Sequence, residues 1–507
     1  MKRLFLLTVV IFLVVPVSVG FSQRQIVEVG KTLKTDDAVI QKIIEIGRAD
    51  NQVMQHLHYV CNVFGGRITG SDAYTNAANW AVDTFRSWGV MAELDYVDEV
   101  AVGFNRGPWF GKMITPEEKS LYFGTPSYTA GTRGVQRGHV VIAPQDEDEL
   151  EDMKDQLKGA WVLIEGTNSG RGRGGRGDES AQLFDKMELA GALGTIQLTA
   201  HPIRLLQNRV NSWDELPTMP DIKLVDTQYN EIKELVEDGE KVELEFDIRN
   251  HFNKGPIKYH NIIAWIPGTT YPDEYVIMGG HFDSYDSAPG AVDNGSGFTP
   301  AMEAIRMIAK AGGRPKRTIM VHLWAAEEIG LVGSQDWIRR NPDKIPRIAA
   351  CFNRDGGTNA IVGLSVSEAM YADFEKICAP LYDLNPDFPF ELAKSKPRAR
   401  PTRAGGSDSS SFSMAGVPAL GWRTRDVFDR GVSYGETWHT NLDNYNKVIP
   451  EYQEHTALAI ALVVYGVANL DHQLSREGYF LDGQTDNQPS QPQRVIREDL
   501  NLELIKN

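Results

Sequence analysis

Apolar residues fall into short continuous runs in the second half of the chain. The clearest runs are EYVIMGGH, RTIMVHLWAAEE, RIAACFNRD and VPALGWRT, and strands buried on both faces have this pattern. Between the first two lies FTPAMEAIRMIAKAGG, whose apolar residues recur at helical spacing: Phe298, Ala301, Ile305 and Ile308. Gly312 supplies the stop signal of this helix. The alternation predicts an α/β fold in which a mostly parallel mixed sheet is sandwiched by helices.

The first half of the chain has two other patterns. In residues 72–90, DAYTNAANWAVDTFRSWGV, apolar side chains at helical spacing predict an amphipathic helix that covers a core: Trp80, Ala81, Phe85 and Trp88. From about residue 118 to 255, strand-like runs such as GHVVIAP and GAWVLIEG alternate with helix-like stretches such as SAQLFDKMELAGALGTIQL. This alternation predicts a smaller α/β domain inserted into the main one.

Both ends of the chain differ from these domains. The N-terminus, MKRLFLLTVVIFLVVPVSVG, has two basic residues, a short apolar run and then small residues, as secretory signals do. We therefore expect a signal peptide over residues 1–22 and a secreted or periplasmic protein. After residue 475 the chain is polar and rich in Pro and Gln, so residues 476–507 are expected to form a loose tail. The main domain then consists of residues 23–117 and 256–475.

Composition narrows the class of protein. A chain of 507 residues is too long for one simple core, and its net charge of −16 argues against a nucleic-acid partner. Three cysteines are too few for a disulfide framework. The stretch GRGRGGRGDES lacks the Lys-Ser/Thr pair of a phosphate-binding loop and is interpreted as a surface loop. HTALAIALVVYGVANL is too short to span a membrane and predicts a buried helix.

Acidic and histidine side chains follow the predicted strands of the main domain. In chain order they are His281, Asp283, Asp293, Glu327, Glu328, Asp355, His439 and Asp443. Ligands of open α/β sheets bind at the carboxyl ends of the strands, so these side chains are expected to meet. A set of His, Asp and Glu without Cys suits Zn²⁺, or less often Mn²⁺ or Co²⁺. His322 lies in the middle of a strand and is interpreted as a core residue.

The motifs around these residues resemble those of a known family. GGHFDS, GAVDNGSG, AAEEIGLVGS, NRDGG and HTNLD are similar, in order and spacing, to motifs of the co-catalytic zinc aminopeptidases, metallopeptidase family 28. The resemblance covers roughly residues 40–470 and is strongest to the plasma glutamate carboxypeptidase-like branch. The insert, with GAWVLIEG and KMELAGALGTIQL, resembles the protease-associated domain that such enzymes carry.

The resemblance implies a set of metal ligands. Two zinc ions would be bridged by the carboxylate of Asp293. His281 and Asp355 would complete one zinc site, and Glu328 and His439 would complete the other. The neighbouring glutamate, Glu327, would then be bound to no metal.

The remaining residues are expected to support this set. Glu327 is the candidate general base and acid, since hydrolysis needs a group that moves a proton from water to the leaving amine. Asp283 resembles the family's carboxylate behind the metal-bound histidine, which usually donates its other N–H to such a partner. Asp443, four residues after His439, is a candidate for a similar role. Asp408, in GGSDSSSFSMAGVPAL, is a candidate wall residue without an assigned role.

The expected function is that of a secreted di-zinc exopeptidase acting at the ends of peptides or on dipeptides. The end that is trimmed and the existence of a homodimer stay open, and substrate-binding residues stay unassigned. The segment KSKPRARPTRAGG is interpreted as a solvated basic loop, with binding of a substrate carboxylate by Arg398, Arg400 or Arg403 as the alternative. A glutaminyl-cyclase-like transferase and a non-catalytic receptor-like protein are the alternatives for the whole chain. The complete set of candidate ligands argues against both.

Overall fold

The computed structural model describes residues 37–167, 178–208 and 210–486. The expected signal peptide, residues 170–177 of the Gly-rich stretch and residues 487–507 of the expected tail lie outside them. The helices are α1 (Ala38–Ala49), α2 (Val53–His58), α3 (Asp72–Ser87), α4 (Glu147–Leu157), α5 (Asp178–Leu189), α6 (Asp226–Glu237), α7 (Ser296–Lys310), α8 (Val332–Arg340), α9 (Glu368–Ile377), α10 (Ala379–Tyr382), α11 (Asp408–Met414), α12 (Tyr434–Thr437) and α13 (Pro450–Ala468). The strands are β1 (Met91–Asn105), β2 (Trp109–Thr115), β3 (Lys119–Ser120), β4 (Phe123–Gly124), β5 (Gln136–Ile142), β6 (Ala160–Thr167), β7 (Gly194–Thr199), β8 (Asp221–Val225), β9 (Glu243–Ile248), β10 (His251–Ile266), β11 (Tyr271–His281), β12 (Arg317–Trp324), β13 (Ile348–Asn353), β14 (Ala360–Val366), β15 (Glu391–Lys394), β16 (Arg398–Pro401), β17 (Trp422–Arg425) and β18 (Phe480–Asp486).

The central sheet has five strands in the order β1-β10-β12-β11-β13. Strand β11 pairs in parallel with both β12 and β13, whereas β10 runs antiparallel to β1 and to β12. The predicted mixed α/β sheet is confirmed, but its parallel part is confined to three strands. The other two are antiparallel because β1 leads the chain into a second sheet and β10 brings it back.

Alternate residues of β12 supply the two faces of the central sheet. One set belongs to the main core, which also holds buried residues of α7 and α13: Ile319, Val321 and Leu323. The other set packs on the opposite face, with residues of α8 and α11: Met320 and Trp324. His322 lies on this second face between the rings of Trp324 and Trp337, and burial lowers its pKa to about 3. Its interpretation as a core residue is confirmed.

The predicted helices are also present. Helix α3 begins after Ser71, whose hydroxyl accepts a hydrogen bond from the N–H of Tyr74, and α7 is followed by Gly312 in the left-handed region. Helix α13 is buried along nearly its whole length, as its uniformly apolar sequence predicts. In the part of the chain that the structure describes, no helix is long and apolar enough to cross a membrane.

A second sheet of eight strands has the order β3-β2-β9-β5-β6-β7-β8-β4. It has its own core, which includes Trp161, Leu163, Ile196, Leu244 and Phe246. We call residues 109–248, with this sheet and helices α4–α6, the second unit. It begins with Trp109, ahead of the expected insert of residues 118–255.

Two segments differ from their prediction. VPALGWRT forms a regular strand only at its end, in β17, while Ala419 makes a single parallel bridge with Cys351 because Pro418 has no N–H to donate. The start of the expected loose tail is ordered, since β18 pairs in parallel with β16. The three cysteines are buried and free, so no disulfide forms.

Candidate metal centre

Three neighbouring parallel strands carry candidate ligands at their carboxyl ends. His281 is the last residue of β11, Glu328 follows β12, and Asp355 follows β13. Because β12, β11 and β13 lie side by side and run in the same direction, these side chains meet at one edge of the sheet. This edge is where the sequence predicts a ligand site.

Asp293 comes from the turn that precedes α7. Both carboxylate oxygens of Asp443 accept backbone hydrogen bonds from this turn, from the N–H of Val292 and, at 3.0 Å, from the N–H of Asp293. The expectation that Asp443 orients His439 is therefore wrong. Nδ1 of His439 makes no hydrogen bond with the residues that the structure describes, and Asp443 positions the backbone of Asp293 instead.

His439 lies on a loop after α12 that is paired with the second unit. Its backbone carbonyl accepts a 3.1 Å hydrogen bond from the N–H of Leu205, and the N–H of Asn441 donates to the carbonyl of Ile203 at 3.0 Å. Between these bonds Arg204 and Thr440 form an antiparallel bridge. The second unit thus fixes the backbone that carries His439.

Two groups of three side chains bring their ligand atoms together. One group is His281, Asp293 and Asp355, with ligand atoms within 4.8 Å of one another. The other is Asp293, Glu328 and His439, within the same distance. His281 Nε2 lies 3.1 Å from Asp293 Oδ1, and His439 Nε2 lies 3.4 Å from Asp293 Oδ2. The two oxygens of Asp293 thus face different histidines, as a bridging carboxylate requires.

Burial and like charge dominate the electrostatics of these residues. Burial raises the pKa of the Glu328 carboxyl well above its usual value, and the charge of Asp293 raises it further. Burial raises the pKa of Glu327 in the same way, with a contribution from Glu328. Although burial opposes it, the surrounding carboxylates raise the pKa of His281 well above its usual value. Such a cluster of buried carboxylates is unfavourable unless cations offset it.

Zinc fits this set of donors. His281 Nδ1 lies 3.0 Å from the backbone carbonyl of Asp283, so in the neutral imidazole Nδ1 carries the proton and Nε2 presents a lone pair. That lone pair faces the carboxylate of Asp293 at 3.1 Å, and a proton or a metal cation between the two atoms makes the contact attractive. Asp293 Oδ2 is buried and makes no hydrogen bond with the described residues. Imidazole and carboxylate donors without a thiolate are common ligands of catalytic zinc.

The carboxylate of Asp283 holds the turn that carries both glutamates. It accepts hydrogen bonds from the N–H of Glu327 at 3.1 Å and from the N–H of Glu328 at 3.3 Å. The hydroxyl of Thr69 donates to it at 3.2 Å. Its nearer oxygen is 3.7 Å from Nδ1 of His281, beyond hydrogen-bond distance. The carboxylate of Asp283 was expected to be the partner of His281, but the backbone carbonyl of Asp283 has that role. The carboxylate of Asp283 instead accepts from the backbone of Glu327 and Glu328.

A cavity of about 200 Å³ lies over the two groups. Glu327 lines this cavity and belongs to neither group. The sequence prediction missed three further wall residues: Tyr285, Tyr434 and Trp438. The ring of Tyr285 lies 4.5 Å from that of His439, and the hydroxyl of Tyr434 lies 3.5 Å from Asp355 Oδ1. Tyr285 directly follows the GGHFDS motif and Trp438 directly precedes HTNLD, which was the available signal, whereas Tyr434 lies outside these motifs.

Other predicted residues lie away from the cavity. Asp408 is fully buried at the start of α11, where burial raises its pKa to about 7, and it is not part of the cavity wall. Arg398 donates to the hydroxyls of Ser413 and Tyr479, and Arg400 donates to a backbone carbonyl. These two arginines therefore stabilise the fold around β16 and are not placed to bind a substrate.

Comparison with known proteins agrees with this geometry. Residues 261–464, which include all five candidate ligands, match Peptidase family M28. The chain is 25% identical to carboxypeptidase Q of Xenopus laevis over 472 residues, which are 90% of this chain and 94% of that protein. A solved peptidase M28 precursor from Shewanella amazonensis SB2B has a TM-score of 0.58 at 20% identity, over 86% of this chain and 97% of that one. A zinc aminopeptidase from Bacillus subtilis has a TM-score of 0.50 at 17% identity, over 85% and 98% of the two chains.

The two solved structures share the fold, and the family match covers the segment in which the candidate ligands lie. The relative that aligns along nine-tenths of the chain extends the likeness beyond that segment. Residues 261–464 are therefore a peptidase family M28 domain, and the chain has the zinc exopeptidase fold and is a hydrolase that acts on peptide bonds.

Proposed function

We propose that the chain is a di-zinc exopeptidase. His281, Asp293 and Asp355 are the ligands of one zinc ion. Asp293, Glu328 and His439 are the ligands of the other. The observation that carries the proposal is that both groups share Asp293, while Glu327 lines the same cavity and belongs to neither group.

Bound zinc polarises the peptide carbonyl and lowers the pKa of water. The residues of the chain then supply proton transfer and orientation. Glu327 takes a proton from the attacking water and delivers it to the leaving amine. Asp283 holds Glu327 through its backbone N–H, and Asp443 holds Asp293 in the same way. These buried contacts keep the base and the bridging ligand at fixed positions relative to each other.

The substrate is a peptide or a dipeptide, cleaved at one end. The Xenopus laevis relative is named a carboxypeptidase, which suggests cleavage at the carboxyl end of the peptide. The Bacillus subtilis protein is named an aminopeptidase, which suggests cleavage at the amino end. A digest of a peptide library, read by mass spectrometry, distinguishes the two. It reports which terminus shortens and after which residue.

The N-terminal segment and the second unit complete the proposal. Residues 1–22 act as a signal peptide and direct the protein to the periplasm or the exterior. The insert of residues 118–255 is a protease-associated domain. Fractionation of cells that express the full chain tests the first point, since N-terminal sequencing of exported protein would begin near residue 23.

Metal removal and return test the metal centre. Hydrolysis of dipeptides or amino-acid arylamides should stop with a chelator and return with zinc. Metal analysis should find about two zinc ions per chain. His439→Ala should lower that number by about one, whereas His472→Ala, at an exposed histidine paired with Asp373, should leave it unchanged. Full activity in a preparation free of zinc would refute the proposal.

A further inference from the structure

A groove of about 360 Å³ lies between the second unit and residues 261–464, which we call the M28 segment. Its walls include Trp109, Phe110 and Tyr122 from the second unit, and Ser287 and Asn441 from the M28 segment. The volume falls within the range of about 300–1,000 Å³ that is typical of ligand pockets. We call this space the aromatic groove.

Three aromatic side chains on the walls of the aromatic groove are exposed. Trp109 is 40% exposed, Phe110 is 44% exposed and Tyr122 is 44% exposed. Aromatic side chains are normally buried on folding, because each covers a large apolar area. Three of them exposed around one concave surface indicate a ligand with an apolar part.

The charge in the groove is already neutralised. Arg106 contributes to its wall, but the guanidinium lies 2.8 Å from the carboxylate of Asp286 and donates to Thr125 at 2.7 Å. Both members of the ion pair are almost fully buried. Because Arg106 is paired with Asp286, it is not placed to bind a carboxylate of a ligand. The aromatic surface therefore favours a ligand with an uncharged side chain.

The aromatic groove lies beside the candidate metal centre. Ser287 lines the groove and also the narrow space beside Asp293, Glu328 and His439. Asn441, two residues after His439, donates a hydrogen bond to the hydroxyl of Tyr122. The loop that carries His439 therefore also contributes a wall of the groove.

We propose that the aromatic groove binds an apolar side chain of a peptide substrate, several residues away from the bond that is cleaved. The inference rests on the proposed peptidase function and adds a preference among peptide substrates. An extended pentapeptide spans roughly 16 Å, so its two ends can contact separate sites. The second unit then takes part in substrate selection.

Kinetics with peptides of different length test this inference. The substrates are a dipeptide and two pentapeptides, which carry either Phe or Ser at the end opposite to the cleaved one. In the wild type, the Phe pentapeptide should have a KM about tenfold lower than the Ser pentapeptide. Trp109→Ala with Phe110→Ala should remove this difference and leave dipeptide hydrolysis within about twofold.

Tyr382→Ala is the matched control, since Tyr382 is 41% exposed and does not line the aromatic groove. It should leave all three substrates unchanged. An equal effect of the double variant on the dipeptide and on both pentapeptides would overturn the inference. So would a wild type that does not distinguish Phe from Ser.

Direct binding separates this inference from the proposed function. Titration calorimetry measures binding of the Phe pentapeptide with both termini blocked. If the chain hydrolyses no peptide yet binds this probe through Trp109 and Phe110, the proposed peptidase function is refuted and binding in the aromatic groove is supported. If hydrolysis occurs but the double variant changes only the oligomeric state in light scattering, the groove is instead a contact between copies and the inference fails.

Discussion

The backbone N–H of Glu327 donates a 3.1 Å hydrogen bond to the buried carboxylate of Asp283. The second oxygen of the same carboxylate accepts from Glu328, so Asp283→Asn would turn an N–H2 group towards one backbone N–H. We expect kcat to fall by about 10–100-fold while about two zinc ions stay bound. Steady-state kinetics and metal analysis measure both quantities. Asp273→Asn, at an exposed aspartate, is the control, and an unchanged kcat would contradict the assigned role.

The two adjacent glutamates should respond differently to the same substitution. Glu327→Gln removes the proposed base, so kcat should fall by about 10²–10⁴-fold with normal zinc content. Glu328→Gln removes a proposed ligand, so zinc content should fall by about one ion per chain. Each variant serves as the control for the other. If both lose the same amount of zinc, the two carboxylates do not have separate roles.

The buried ion pair between Arg106 and Asp286 should be important for stability. Asp286→Ala leaves the guanidinium buried without its charge partner, and we expect a loss of about 3–5 kcal/mol in the free energy of unfolding. Denaturant unfolding measures this loss. Glu45→Ala, in the exposed pair Lys42–Glu45, should cost about 1 kcal/mol or less. Equal effects of the two substitutions would show that burial does not set the strength of the Arg106–Asp286 pair.

Acid should destabilise the protein in part through His322. Burial lowers its pKa to about 3 in the folded state, against about 6.5 when unfolded. Between these values only the unfolded state takes up the proton, so stability falls as the pH drops from about 6.5 towards 3. At pH 4.5 the contribution is about 3 kcal/mol. His322→Phe should remove it, so the difference in unfolding free energy between wild type and variant should change with pH over this range. A constant difference would contradict the prediction.

The strand ends were predictable from the sequence because apolar runs buried on both faces have abrupt ends. His281, Glu328 and Asp355 each follow such a run, and the parallel pairing of the three strands brings them together. The antiparallel β1 and β10 were not predicted. Their exposed and buried residues do not form a continuous apolar run, and their pairing depends on the position of the second unit between them.

Contacts between distant parts of the chain were the least predictable. Asp443 holds the backbone of Asp293 across 150 residues, and Arg106 pairs with Asp286 across 180 residues. Local spacing suggested His439 as the partner of Asp443, because that histidine lies only four residues away. A side chain on a loop can face in either direction, and sequence spacing alone does not distinguish between them.

The pairing of residues 203–205 with residues 439–441 bears on how the protein is made. Synthesis proceeds from the N-terminus, so the second unit can fold long before His439 leaves the ribosome. Residues 203–205 can then be in place before the loop of His439, the last of the proposed metal ligands, pairs with them. Until that residue is added, the nascent chain holds an incomplete set of ligands. Under the proposed mechanism, the capacity to cut peptides arises only when synthesis is nearly finished.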